Sequence, residues 1–324
     1  MKVYVVGAGA VGTYLGDALA SIGSEVTYAA RALDDVRPVD ADLAIVAVKS
    51  YDTASALATL RKALKDPASA AILCPQNGVG NEERLAEAFG ADQIVAAALT
   101  VPVERDRNGK FRASNEGGLV FAPMGAKAHN WILAAFGSTG MTVSAVDNWL
   151  ALKWSKLSIN IIANATCAIL NVLPDRLVQF EGAFGIEIRA IRECRSVMQA
   201  MKIPAIDLPR YPVRVLQGVA TLPSPVARML LSGRIAAARG RKAPSLLLDL
   251  RAAKNVTEVD VLNGAIDSFG AKFNVPTPVN ATLTRVLADI AHMPALWAKY
   301  RERPEMLEAE VQAQIARTSR TVRA

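Results

Sequence analysis

Lys2-Val3-Tyr4-Val5-Val6-Gly7-Ala8-Gly9-Ala10-Val11-Gly12 is the stretch whose reading decides the fold. KVYVV is a short β-branched run of the kind that makes a buried parallel strand. GAGAVG follows at once, TYLGDALASIG then reads as a helix stopped by Gly23, and Glu25–Ala29 as a second strand. Strand, glycine turn, helix and strand within about 30 residues form a unit that binds a dinucleotide. Gly7 permits the tight turn, Gly9 lets the backbone approach a pyrophosphate, and Gly12 lets helix and strand pack closely. The pyrophosphate charge then meets the helix N-terminus. Gly7, Ala8, Gly9, Ala10, Val11 and Gly12 are therefore the candidate cofactor cradle.

The end of the second strand bears on which dinucleotide binds. An NAD site usually carries Asp or Glu there, about 20 residues past the glycines, for the ribose 2′-hydroxyl. Here the position is Arg31. A guanidinium suits a 2′-phosphate, so NADPH is the expected cofactor. Asp34 and Asp35 follow closely and could reach a ribose if the loop folds back.

Further buried strands are expected at Leu43–Val48, Ala70–Cys74, Ile94–Thr100 and Met141–Val146. Between the last two, the turn Asp106-Arg107-Asn108-Gly109 should join two antiparallel arms. Lys49 and Gln76-Asn77 sit at the carboxyl ends of consecutive strands, where open parallel sheets bind ligands. Read singly, each is an ordinary loop residue. Placed together with the glycine loop, Lys49 and Asn77 become candidate cofactor contacts.

From Asn148 onward the pattern is helical, with helices near 176–202, 225–239, 244–254, 257–272, 277–291 and 294–316, and a frayed end from about Gln312. The expected class is α/β: a Rossmann-type dinucleotide-binding domain over 1–147 followed by an all-helical domain over 148–324. Two domains suit 324 residues. A hydrophobic share of 52% and a charged share of 21% exclude disorder over the whole length. The net charge of +7 suits an anionic ligand, while an aromatic share of 6% without a basic–aromatic run speaks against nucleic acid. Cys74, Cys167 and Cys194 lie far apart, which suits reduced thiols in a cytoplasmic protein. His129 and His292 alone do not suggest a metal site. The apolar start is too short for a signal peptide, and no apolar run is long enough to span a membrane.

Leu150–Leu170, LALKWSKLSINIIANATCAIL, opens the second half and reads as one helix. At 100° per residue, Lys153, Lys156, Asn160, Asn164 and Cys167 fall on one narrow stripe of an otherwise apolar cylinder. Such a stripe either lines a polar cleft or faces bulk water. Helical geometry does not choose between the two lysines. Glu258 and Ser245 also stand out, but both admit capping readings: Asn255 with Glu258 three residues on, and Ser245 at a helix start.

GAGAVGTYLG (7–16), VKSYDT (48–53), QNGVGNEE (76–83), KWSKLSINIIANA (153–165), TEVDVLNG (257–264) and NVPTPVN (274–280) together resemble the ketopantoate reductase (2-dehydropantoate 2-reductase) family, in order and through almost the whole chain. The resemblance implies NADPH-dependent reduction of a 2-keto acid, above all 2-dehydropantoate to pantoate in pantothenate biosynthesis, in a cleft between the domains. By motif it puts the catalytic lysine on Lys156 and the active-site glutamate on Glu258, the latter paired with that lysine or bonded to a substrate hydroxyl. It makes Asn160, Asn164 and Ser245 substrate contacts. It sets Lys49 and Asn77 against the cofactor, and it matches Arg31 to the family's 2′-phosphate arginine. A homodimer is compatible with it. Two departures stand out: only 32–42 separate Arg31 from the next strand, and Arg241-Lys242-Ala243-Pro244 stands where the family often carries a further asparagine. The competing readings are a reductase of the same fold acting on another keto acid or an imine, and a non-catalytic NADPH-binding protein.

Overall fold

The structure is a computed structural model that describes residues 1–105, 111–113, 117–127, 129–239 and 242–321. The expected turn at Asp106–Gly109, Arg241 and the last arginine of the tail, Arg323, lie outside the described residues. The chain forms two compact units, one of Met1–Lys156 with Asp207–Tyr211, the other of Leu157–Ile206 with Pro212–Ala324. This division falls inside the helix Trp149–Asn160, after Lys156.

The first unit carries β1 (Lys2–Val6), β2 (Glu25–Tyr28), β3 (Leu43–Val46), β4 (Ala71–Cys74), β5 (Ile94–Leu99), β6 (Val103–Arg105), β7 (Phe111–Ala113), β8 (Leu119–Pro123) and β9 (Val143–Ala145). Its helices are α1 (Ala10–Ser21), α2 (Thr53–Ala63), α3 (Asn81–Phe89) and α4 (Asn130–Gly137). The main sheet runs β2-β1-β3-β4-β5-β8-β9. Every pairing in it is parallel except β5 with β8. β6 and β7 pair antiparallel as a separate ribbon, the excursion expected from the sequence.

Period-two alternation builds both faces of this sheet. Val3, Val5, Leu43, Ile45, Leu73 and Val95 pack on one side with Leu15 and Leu19 of α1 and Phe136 of α4. Tyr4, Val6, Ala44, Val46, Ile72 and Ile94 pack on the other with Leu60 of α2 and Leu85 of α3. β2 and β3 flank β1 on opposite sides, so the strand order reverses at β1, the position where such sheets open a crevice beyond their carboxyl ends.

α5 (Trp149–Asn160) runs through the division, and α6 (Ala165–Leu170) follows it in the second unit. The expected single helix over 150–170 is therefore two. Ala163, at φ +49°, takes the left-handed conformation that a β-carbon disfavours, and this breaks the cylinder. The rest of the second unit is α7 (Pro174–Leu177), α8 (Glu181–Ala200), α9 (Val213–Ala220), α10 (Ser224–Arg239), α11 (Ser245–Arg251), α12 (Asn263–Lys272), α13 (Pro278–His292), α14 (Trp297–Tyr300) and α15 (Pro304–Thr321). It contains no strand among its described residues. α9 was not expected from the sequence. α15 stays helical to Thr321, where fraying from Gln312 was expected, and past Val311 only Gln314, Ile315 and Thr318 are half-buried among the described residues. All three cysteines are buried free thiols. Burial pushes the Cys194 thiol up to about 12.

Candidate functional site

The glycine loop leaves β1 through Gly7 at φ +108°, where a β-carbon would strike the Val48 amide nitrogen. Gly12 lies so close to the Gly7 carbonyl that a β-carbon has no room, which seats the first turn of α1 against the strand end. Gly9 differs: a β-carbon there would meet nothing within 4 Å. Its lack of a side chain keeps open space rather than internal packing. α1 begins at this open side with no side-chain cap and no acidic residue in its first turn. Unpaired first-turn amides and the helix dipole together suit a bound anion, so the residues present fit a pyrophosphate. Arg31 is exposed, three residues past the end of β2. The short segment after it forms one 3-10 turn, Leu33–Asp35. Lys62 Nζ donates to the Leu33 carbonyl at 2.8 Å, and Arg37 donates to the Asp34 carbonyl at 2.9 Å.

The loops after β3 and β4 are tied together. Gln76 Nε2 donates to the Val48 carbonyl and to Thr53 Oγ1, both at 3.0 Å. Thr53 Oγ1 donates to Asn81 Oδ1 at 3.1 Å, and Asn81 Nδ2 donates to the Asn77 carbonyl at 3.2 Å. Lys49 heads the 3-10 turn Ser50–Asp52 and is half-buried, whereas Asn77 is exposed. Because β1, β3 and β4 are neighbours, the glycine loop, Lys49 and Gln76-Asn77 share one edge of the first unit.

The two lysines of α5 separate sharply. Lys153, which helical geometry does not set apart from Lys156, is 1% exposed. Its Nζ lies 2.8 Å from Glu82 Oε1 and donates to the Gln76 carbonyl at 2.5 Å. Burial pulls its pKa down, yet the facing Glu82 and its neighbours outweigh that and hold the ammonium protonated. Lys156 is half-buried, with Nζ 5.9 Å from the centre of the Tyr211 ring, within range of a cation–π contact.

In the second unit, Asn160 is the last residue of α5 and is half-buried. Its carbonyl accepts from Asn164 Nδ2 at 3.1 Å. Asn164 does not continue the polar stripe. It stands at the head of α6, is buried, and its Oδ1 accepts the Leu246 amide at 3.2 Å, which ties α6 to the start of α11. Cys167 also leaves the stripe, since it is wholly buried. Ser245 is exposed as the first residue of α11, and its hydroxyl makes no cap. The capping reading of Asn255 also fails, because Thr257 caps the turn by accepting from the Val259 amide. Glu258, the first residue of that turn, is 3% exposed.

Sequence reasoning missed Glu82 and Tyr211 as partners of the two lysines. The signal for the first was present: Lys153 lies between Leu152 and Trp154, and a buried lysine needs a carboxylate. Tyr211 is far from Lys156 in sequence and lies in a loop, so no local pattern marks it.

Two family models match this chain. "Ketopantoate reductase PanE/ApbA" covers residues 32–126, and "Ketopantoate reductase PanE/ApbA C terminal" covers 148–291. The chain is 29% identical over 274 residues to a 2-dehydropantoate 2-reductase of Halobacterium salinarum, covering 83% of this chain and 81% of that one. It is similar to the crystal structure of a PanE/ApbA family ketopantoate reductase from Ralstonia eutropha JMP134, with a TM-score of 0.73 and 30% identity over 90% of this chain and 98% of that one. It shares the fold of a dimeric ketopantoate reductase from Staphylococcus aureus, with a TM-score of 0.68 and 15% identity over 91% of this chain and 99% of that one. With two domain models over most of its length and a relative at 30% identity, the chain belongs to the ketopantoate reductase PanE/ApbA family.

Proposed function

We propose that the chain is an NADPH-dependent oxidoreductase that reduces 2-dehydropantoate to pantoate. The observation that carries this reading is the edge beyond β1, β3 and β4. There the glycine loop, the Lys49 turn and the Gln76-Asn77 loop adjoin, in a chain whose relatives are named for that reaction. NADPH, when bound, supplies the hydride that reduces the substrate carbonyl. The first-turn amides of α1 hold the pyrophosphate, Arg31 holds the 2′-phosphate, and Lys49 and Asn77 orient the rest of the cofactor. Lys156 steadies the negative charge that grows on the C2 oxygen and donates the proton to it. Asn160, Ser245 and the remaining Asn164 N–H hold the hydroxyl and carboxylate groups of the substrate, and Glu258 accepts a bond from a substrate hydroxyl. The +7 charge favours two anionic ligands.

Initial rates with 2-dehydropantoate and each nicotinamide cofactor test reaction, substrate and cofactor together. NADPH should be preferred, and Arg31→Ala should raise its KM while leaving that for NADH unchanged. Equal use of both cofactors by wild type and variant would defeat the NADPH assignment. Turnover of other keto acids or imines but not of 2-dehydropantoate would defeat the substrate. We also propose a cytoplasmic homodimer. Val226, Met229 and Leu230, spaced along one face of α10, are exposed and apolar, which supports self-association. Sedimentation at monomer mass would rule the dimer out.

A further inference from the structure

Among the described residues, Lys153 is the only lysine or arginine that is buried. Removing such a charge from water is costly unless it is paired and hydrogen-bonded. Its partner Glu82 is 0% exposed. The other titratable groups facing the pair are Cys74 and Glu83, and burial pushes both of them up. The ammonium therefore has one carboxylate and one backbone carbonyl, and that carbonyl belongs to Gln76. The Gln76 side chain reaches the Val48 carbonyl. Val48 in turn lies against Gly7. One unbroken run of contacts leads from α5, through the loops after β4 and β3, to the glycine loop.

We propose that Lys153, paired with Glu82, is a positioning residue for the cofactor. Its ammonium fixes the Gln76-Asn77 loop and, through Gln76, the Val48–Lys49 turn, so that this edge is formed before NADPH arrives. The same bonds fix the rotation of α5, one turn before Lys156. This rests on the proposed NADPH site and assigns that site a support that touches neither cofactor nor substrate. A purely architectural ion pair behaves differently: replacing both charges together with uncharged groups is then neutral.

The test measures NADPH binding directly by fluorescence in wild type, Lys153→Met and Lys153→Met/Glu82→Gln, with kcat, KM and their pH profiles alongside. The single variant should lose thermal stability, because Glu82 stays buried without its cation. The double variant should regain it, yet bind NADPH on the order of tenfold more weakly, the size expected when a hydrogen bond from a charged donor is lost. Its KM for NADPH should rise more than its kcat falls, and the pH profile of kcat should not move. A folded double variant that binds NADPH within about twofold of wild type overturns the proposal. A displaced pH profile overturns it too, since Lys153 would then take part in proton transfer. If neither variant folds, hydrogen exchange on the wild-type chain decides. Amides 76–80 must already exchange slowly before NADPH is added, and fast exchange there that only NADPH slows overturns the proposal. Binding is read without turnover, so a wild-type chain that binds NADPH but reduces no keto acid defeats the reaction proposed above and leaves this inference standing. A chain that does not bind NADPH defeats both.

Discussion

The segment from Trp149 to Leu170 contains two solutions to one problem, a polar group in a dry interior. Around Lys153 the helix is intact, so every backbone amide is already used. The buried ammonium must then find a distant side chain, Glu82, and a spare carbonyl on another loop. Around Ala163 the helix breaks and frees backbone groups. There the buried carboxylate of Glu187 accepts the Ala163 amide at 2.6 Å, and Asn164 bonds both to the Asn160 carbonyl and to the Leu246 amide. The contrast teaches that a regular helix has no spare amide to offer a buried polar group, whereas a broken one frees an amide that a carboxylate from another helix can accept. The first arrangement links loops that lie far apart in sequence. The second fixes a bend directly after Asn160.

The largest effect should come from the residue between these regions. Lys156→Ala should lower kcat by about 10²–10⁴-fold while NADPH affinity stays near wild type. Retained turnover would remove the proton-donor role. Next is the ion pair: Lys153→Met should cost about 3–5 kcal/mol of stability in denaturant titration, because it strands a buried carboxylate. A cost below about 1 kcal/mol would show that Glu82 escapes to water, and the contrast would collapse. Asn164→Ala should cost less, about 1–3 kcal/mol, by leaving the Leu246 amide unpaired, and Asn164→Asp should restore little of it, because its second oxygen would face the Asn160 carbonyl. Ala163→Gly should raise stability in denaturant titration slightly, by up to about 1 kcal/mol of relieved left-handed strain. A drop would mean that the Ala163 side chain packs more than its backbone strains.

Glu193 extends the comparison to a carboxylate held by amides. It accepts from the Val279 and Asn280 amides and from Asn280 Nδ2, at 2.7–2.9 Å. Burial, aided by Asp267, still raises its pKa from 4.5 to about 7 against those donors. The folded chain thus binds this proton more tightly than the unfolded one. Its contribution is fully present below about pH 4.5 and is lost as pH rises through 7. Thermal midpoints of wild type and Glu193→Gln across that window should show the wild-type chain losing ground as pH rises. Parallel curves would place the titration elsewhere.

Much of the first unit was legible because its signals are local. A β-branched run, a glycine turn and a helix stop are each read within a few residues, and alternation explains both faces of the sheet. The site was legible where a residue type must fill a role on the spot, as at Gly7 and Gly12. It was less so along Trp149–Leu170, because the angular argument assumed one straight helix. Ala163 has no sequence signature for a left-handed break, since alanine is a strong helix former. The groups that bond at the break, the Glu187 carboxylate and the Leu246 amide, come from far along the chain.

By itself, the sequence determined the strand order's raw material, the glycine cradle, the position of Arg31 and a pair of lysines one turn apart. Those follow from short-range sterics and hydrophobic periodicity, which each segment carries with it. Only the tertiary structure decided that Lys153 is buried against Glu82 while Lys156 stays partly open beside Tyr211. The environment of a charge is set by groups that arrive from far along the chain, and its desolvation depends on all of them at once.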